Sequence, residues 1–151
     1  MTTPIPGSAW STTAAGGLVE SVSLIDSAGN AVGTAAVALL ASASRTTTQT
    51  PADQTNGTDA GLHVILDVTT VGTGSVTLSI NGKDPASGKY YPLLTGAAVV
   101  TNSTNVYRVG RGLTAAANTI ANDLIPRTFQ IVVTANNANA VTYSVGYNLT
   151  A

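Results

Sequence analysis

The stretch GLHVILDVTTVGTGSVTLSIN, Gly61 to Asn81, sets the reading of the whole chain. Leu62, Val64, Leu66 and Val68 place an apolar side chain at every second position, with His63, Asp67 and Thr69 between them and Ile65 as the one apolar residue on the outer face. That period of two is the pattern of a half-buried strand. After Gly72 and Gly74 it resumes, with Val76, Leu78 and Ile80 inward against Thr77, Ser79 and Asn81. The glycines predict a reversal between two antiparallel neighbours.

Working outward, the same device recurs. Leu39, Ala41 and Ala43 alternate with Leu40, Ser42 and Ser44 as a first strand. Asn81 to Tyr91 predicts a hairpin: Asp84-Pro85 sets the turn because proline holds φ near the required value, and Ser87-Gly88 supplies a left-handed residue to close it. The chain then leaves through Tyr90, Tyr91, Leu93 and Leu94. Asn105 to Val109 is a short strand with Tyr107 and Val109 on one side, Val106 and Arg108 on the other. Thr128 to Ala135 is a strong strand with Phe129, Ile131 and Val133 on one face and Gln130 and Thr134 opposite. Asn136-Asn137-Ala138-Asn139 predicts a hairpin turn, since asparagine tolerates left-handed geometry. The last strand carries Val141, Tyr143, Val145, Tyr147 and Leu149 inward. Between Leu113 and Ile125, three alanines favour helix, but Asn118, Asn122, Asp123 and Pro126 interrupt it, which predicts a long loop with at most a turn or two of helix. About seven short strands result, expected to form an antiparallel β-sandwich or flattened barrel.

The first quarter has a different composition. Residues 1–37 open with Pro4, Pro6 and Gly7, carry the only tryptophan, Trp10, and continue through a Thr-Thr-Ala-Ala-Gly-Gly run. They are expected to form an extended N-terminal arm, with a small hairpin in which Val22 and Leu24 face Val32 across Asp26 to Asn30. Its few large apolar side chains bury too little area to offset the backbone entropy of ordering it alone, so the arm is expected to dock on something. Residues 38–151 are expected to be the sandwich.

The 151 residues fit one such domain. Only 9% of residues are charged, against roughly 25% in ordinary soluble proteins. Six basic and seven acidic residues give a formal charge of -1, and only Arg108 and Arg111 lie close together, which argues against nucleic acid as a partner. The absence of cysteine removes disulfides, thiolate chemistry and the common zinc sites, and is compatible with folding in a reducing cytoplasm. The first basic residue is Arg45, so the start is not expected to act as a secretory signal. The Ala-rich run from Ala31 to Ala43 is shorter than the ~20 residues of a membrane-spanning helix, and no membrane segment is expected.

Chemistry-bearing groups are sparse. Asp53, Asn56, Gly57 and Asp59 are spaced loosely like a calcium loop, but no bidentate glutamate follows, so a turn-rich connection is the expectation there. His63 is the only histidine and lacks a neighbouring nucleophile elbow. It is expected to be a structural residue at a strand face or edge. No pair of facing acids and no phosphate-binding glycine loop is legible, so no enzymatic activity, cofactor or metal is expected. Tyr90 and Tyr91 admit two readings: one fills the core while the other covers a sheet edge, or an exposed tyrosine joins Trp10 or Tyr107 in contacting a sugar or a protein.

Three stretches, Asn81-Gly-Lys-Asp-Pro-Ala-Ser-Gly-Lys-Tyr-Tyr, Ile125-Pro-Arg-Thr-Phe and Thr142-Tyr-Ser-Val-Gly, with Leu62-His-Val ahead of them, resemble the small β-sandwich virion proteins of tailed bacteriophages, the capsid decoration or cement class. The resemblance spans about Leu39 to Leu149 and leaves the arm without a counterpart. It implies a non-enzymatic protein, made in the host cytoplasm, that binds the outer face of an icosahedral head. Its partners would be the major capsid protein and copies of itself, commonly as a trimer over subunit junctions. Contacts are then expected from Trp10, Leu18, Val22 and Leu24 in the arm and from Tyr90, Tyr91, Tyr107, Arg108 and Arg111 in the body. A tail-tube, tail-terminator or head-fibre component shares this composition, and a carbohydrate-binding module or adhesin would rest on Tyr90, Tyr91 or Trp10.

Overall fold

The computed structural model describes residues 8–12, 18–22 and 36–150, the first two segments by their backbone alone. All regular structure among the described residues is strand. The chain divides into two units, Met1–Val32 and Gly33–Ala151. In the first, β1 (Ser8–Thr12) and β2 (Leu18–Val22) pair antiparallel, with Trp10 opposite Glu20 and Val22 opposite Ser8. The hairpin expected across Asp26 to Asn30, and Leu24 with it, lies outside the described residues.

The second unit contains β3 (Ala36–Arg45), β4 (Gln54–Thr55), β5 (Gly61–Thr70), β6 (Val76–Lys83), β7 (Tyr90–Thr95), β8 (Ser103–Gly110), β9 (Ile120–Ala121), β10 (Thr128–Ala135) and β11 (Val141–Thr150). Seven of these run six residues or more. They form two sheets, ordered β4-β10-β6-β7 and β3-β11-β5-β8-β9, which do not close into a barrel. β3 thus begins at Ala36, two residues inside the segment read as arm.

The alternating residues do what their period requires. Leu62, Val64, Leu66 and Val68 of β5 and all five inward residues of β11 are buried from one sheet; Val76, Leu78 and Ile80 of β6 and Phe129, Ile131 and Val133 of β10 are buried from the other. Phe129 meets Tyr147 edge to face across the interior, with ring centroids 5.7 Å apart and planes at 80°.

The expected reversals after β5 and β10 are corrected: neither is a hairpin. β5 and β6 belong to different sheets, as do β10 and β11, so both connections cross from one sheet to the other. A strand facing its successor across a sandwich shows the same period as one lying beside it, which is why alternation alone misleads. Val71 is the local sign, because it is buried although it breaks the parity of Leu62 to Val68. The two crossings lie side by side. Asn137 and Asn139 both donate to the Thr73 carbonyl at 3.2 Å, and Asn136 N donates to Ser75 O at 3.0 Å. Gly74 sits where they meet, so that a Cβ there would lie 2.4 Å from Val141 Cγ2 and 3.0 Å from Asn139 O.

One further expectation changes. The strand expected from Leu39 to Ser44 is present as part of β3, but the alternation is not kept in its burial: Leu39 and Leu40 are both half-buried, and Ala41 and Ala43 are exposed like Ser42 and Ser44. The cause is irregular pairing with β11, where the register shifts between Tyr143 and Val145 and again between Val145 and Gly146. Arg45 covers this irregular edge. Its guanidinium donates to Tyr143 O at 2.7 Å, Ala43 O at 3.1 Å and Ala41 O at 2.7 Å, and stands 4.7 Å from the centroid of the Tyr143 ring. The Leu113 to Ile125 stretch is mainly loop, as expected, with one turn closed by Ile120 N donating to Ala116 O at 2.9 Å, and it also supplies the two-residue β9, which runs parallel to β8 with Arg108 opposite Ile120.

Gly74→Ala is expected to destabilise the fold by about 1 to 3 kcal/mol, because the methyl group has no free volume. Gly57→Ala, where nothing lies within 4 Å of the added atom, is expected to be close to neutral. Urea denaturation of the two variants checks both; equal midpoints would show that the crossings are not tightly packed.

Candidate interaction site

The hairpin of β6 and β7 carries the exposed aromatics. Asp84 shapes its turn: the backbone N of Asp84 donates to Lys89 O and Gly88 N to Asp84 O, both at 2.8 Å, while the Asp84 carboxylate accepts Ala86 N at 2.9 Å. Gly88 adopts φ 71°, the left-handed value predicted from its place in the turn. The Ser87 hydroxyl, followed by the Ala86 amide, holds the Asp84 carboxyl below its usual range.

Beyond the turn, Tyr90 and Tyr91 are 45% and 42% exposed. Neither fills the core, which corrects the expectation that one of the two would. The hairpin extends past the end of the interior, and the register between β6 and β7 shifts after Ile80, so consecutive side chains both remain in solvent. Each is nonetheless fixed. Tyr91 lies on Gly82, its cross-strand partner, with ring atoms 2.4 Å from where a Cβ would stand. Only glycine leaves room for that ring. The Tyr90 hydroxyl donates to Asp53 Oδ1 at 2.6 Å, and Lys83 Nζ donates to Asp53 Oδ2 at 2.7 Å while standing 5.4 Å from the centre of the Tyr90 ring.

Asp53 is placed by a second set of contacts. β4 follows it directly and pairs with β10, whose Gln130 donates to Pro51 O at 3.2 Å and more weakly to Asp53 Oδ1 at 3.4 Å. Gln130 is therefore 9% exposed, although its parity directed it outward. Next to Asp53, Gln54 accepts the Tyr147 hydroxyl at 2.8 Å, tying the loop to the core of the other sheet. Of the three oxygen ligands of the supposed calcium loop, Asp53 and Asn56 are engaged elsewhere, and Asp59 Oδ1 is buried without a hydrogen-bond partner among the described residues. Asp53 holds the hairpin. Asn56 is buried and donates to Ile125 O at 3.0 Å while accepting Asp59 N at 3.1 Å. Among the described residues no group of three acidic or histidine side chains is gathered in a metal-binding arrangement.

Tyr107 leaves the set of exposed aromatics: it is 3% exposed, with its ring against Gly96. Arg108 and Arg111 are exposed, and both line a groove of about 380 Å³ at the end of the five-stranded sheet, together with His63. The described backbone of β1 and β2 includes Trp10, Leu18 and Val22, but their side chains lie outside the described residues, as does all of Leu24. Sequence reasoning missed Asp53, Lys83 and Gln130 as partners of Tyr90. Asp53 and Tyr90 are 37 positions apart, and no local pattern signals that they meet.

No protein-family model, no curated protein and no solved structure matches this chain.

The clamp sets its own pH window. Hydrogen bonds from Lys83 first and Tyr90 second lower the Asp53 pKa, while the bond to Asp53 raises that of Lys83 and, ahead of desolvation, that of Tyr90. The lowered carboxyl contributes fully above its unfolded value of about 4 and is lost as pH falls through the folded value; the raised groups contribute below about 10 and are lost as pH rises through theirs. Asp53→Asn is expected to return the Tyr90 hydroxyl toward the ordinary tyrosine range with little change in melting temperature, because the partners are solvent-accessible. Tyrosinate absorbance against pH measures this, and an unmoved titration would show that Asp53 does not hold Tyr90.

Proposed function

We propose that the chain is a non-enzymatic structural protein of a tailed-bacteriophage virion, a decoration or cement protein that binds the outer surface of the head and stabilises contacts between major capsid subunits as a homo-oligomer, with a trimer over subunit junctions favoured. The observation that carries this reading is the clamped pair Tyr90 and Tyr91. Two large amphipathic rings project from an edge hairpin, and Asp53, Lys83 and Gly82 immobilise them before any partner arrives. Pre-ordered aromatic side chains of this kind give contact energy at small entropic cost, as required at a protein interface. Both Asp53 carboxylate oxygens are occupied by this task. The low charge supports the same reading, since copies packed closely on a shell repel one another little.

Cryo-electron microscopy of the particles that contain the chain is expected to place it in many copies over the head. Its confinement to the tail, or its absence from particles, would overturn the reading. On purified shells, the double variant Tyr90→Ala/Tyr91→Ala is expected to lower affinity about tenfold or more while retaining the wild-type melting temperature. Undiminished occupancy would remove the tyrosines from the interface.

The same exposed pair favours a second reading, a carbohydrate-binding module or adhesin, because tyrosine faces stack on sugar rings. A glycan array separates the two: saturable binding by the wild type that the double variant loses would select the second.

A further inference from the structure

The outer face of the five-stranded sheet is crossed by a row of neighbours, Ile120, Arg108, His63, Asn148 and Ala36, one from each strand. At its β8 end the chain turns through Gly110 and Arg111, and the groove of about 380 Å³ opens between them and His63, with Leu113 among its apolar walls. Two observations there are independent of each other. Arg108 and Arg111 have no carboxylate within ion-pair distance among the described residues, where Lys83 is the one cation so paired. His63 Nε2 is buried and has no hydrogen-bond partner among them. Two exposed guanidinium groups beside an imidazole nitrogen without a partner among the described residues bring several hydrogen-bond donors to one groove, the donor set that suits an oxyanion.

We propose that this groove docks a carboxylate side chain from an acidic segment of the protein to which the chain attaches. Guanidinium groups match the two oxygens of a carboxylate, and half-buried Leu113 suits the methylenes that carry it. A phosphate polymer is disfavoured because the chain has six basic residues against seven acidic, and no further cations extend the groove into a track. The choice of a protein segment rests on the adhesion reading above, whereas the anion site rests on the groove alone.

The test uses the free protein and needs no shell, so its outcome is independent of where the chain resides. Amide and imidazole resonances are followed by NMR while a capped Leu-Glu-Glu-Leu peptide is added at low salt. Matching titrations use the Gln analogue of that peptide, inorganic phosphate and a single-stranded oligonucleotide. The glutamate peptide is expected to shift His63, Gly110 and Gly112 saturably, with the affinity falling about tenfold in the Arg108→Gln/Arg111→Gln variant and at high salt. Both arginines are exposed, so the variant is expected to stay folded; the salt dependence of the wild type provides the second measurement. No saturable shift, an equal shift with the Gln analogue, or an unchanged response in the folded variant would overturn the proposal. Tighter binding of phosphate or of the oligonucleotide would overturn the assignment to a carboxylate.

Discussion

The body of this protein depends on a face-to-face fit between two sheets whose inner residues have no alternative shelter from water. Tyr143, Phe129, Leu66, Leu78, Ile80 and Val64 are each less than 2% exposed, and they come from both sheets. Sandwich sheets pack about 10 Å apart, so every inward side chain touches the opposite layer as well as its own neighbours. The crossings at Val71 to Ser75 and Asn136 to Ala140 keep the layers in register, and Gly74 allows them to lie in contact. Fixing the interior at one end frees the opposite edges to carry hairpins and grooves that contribute nothing to the core.

That division separates the packed interior from the features on its outside. The Asp53 clamp, the Tyr91 ring on Gly82 and the Arg108 and Arg111 groove all use polar or exposed groups on the outside of the sandwich. The first two are held by local contacts. Of the acidic side chains among the described residues, Asp53 is ion-paired with Lys83, while Asp67 and Asp84 accept from neutral donors.

The period-two pattern made β5, β6, β8, β10 and β11 legible, because burial of alternate residues is a local property that needs only one face to be apolar. Connectivity was not legible in the same way. Leu62 to Val68 and Val76 to Ile80 would look alike as neighbours or as opposed layers, and only the misplaced Val71 distinguishes the two. The β3 alternation failed because β-bulges depend on the partner strand, here β11, and leave no mark on Ala41 or Ala43. For the site, Tyr90 and Tyr91 were visible as aromatics in a turn-bounded strand, and Arg108 and Arg111 as an adjacent cationic pair. The partners that give them geometry, Asp53, Gln130 and His63, come from distant segments. Tyr107 was misassigned to the surface set although its own alternation with Val109 already pointed inward.

The Arg45 guanidinium on the carbonyls of Ala41 and Ala43 has a consequence for crowded populations of the molecule. β3 is an outermost strand, nine of whose ten residues are uncharged, the composition that invites cross-β growth. With those acceptors already taken and the backbone kinked by its uneven pairing, this flank offers a poor template to a second ribbon.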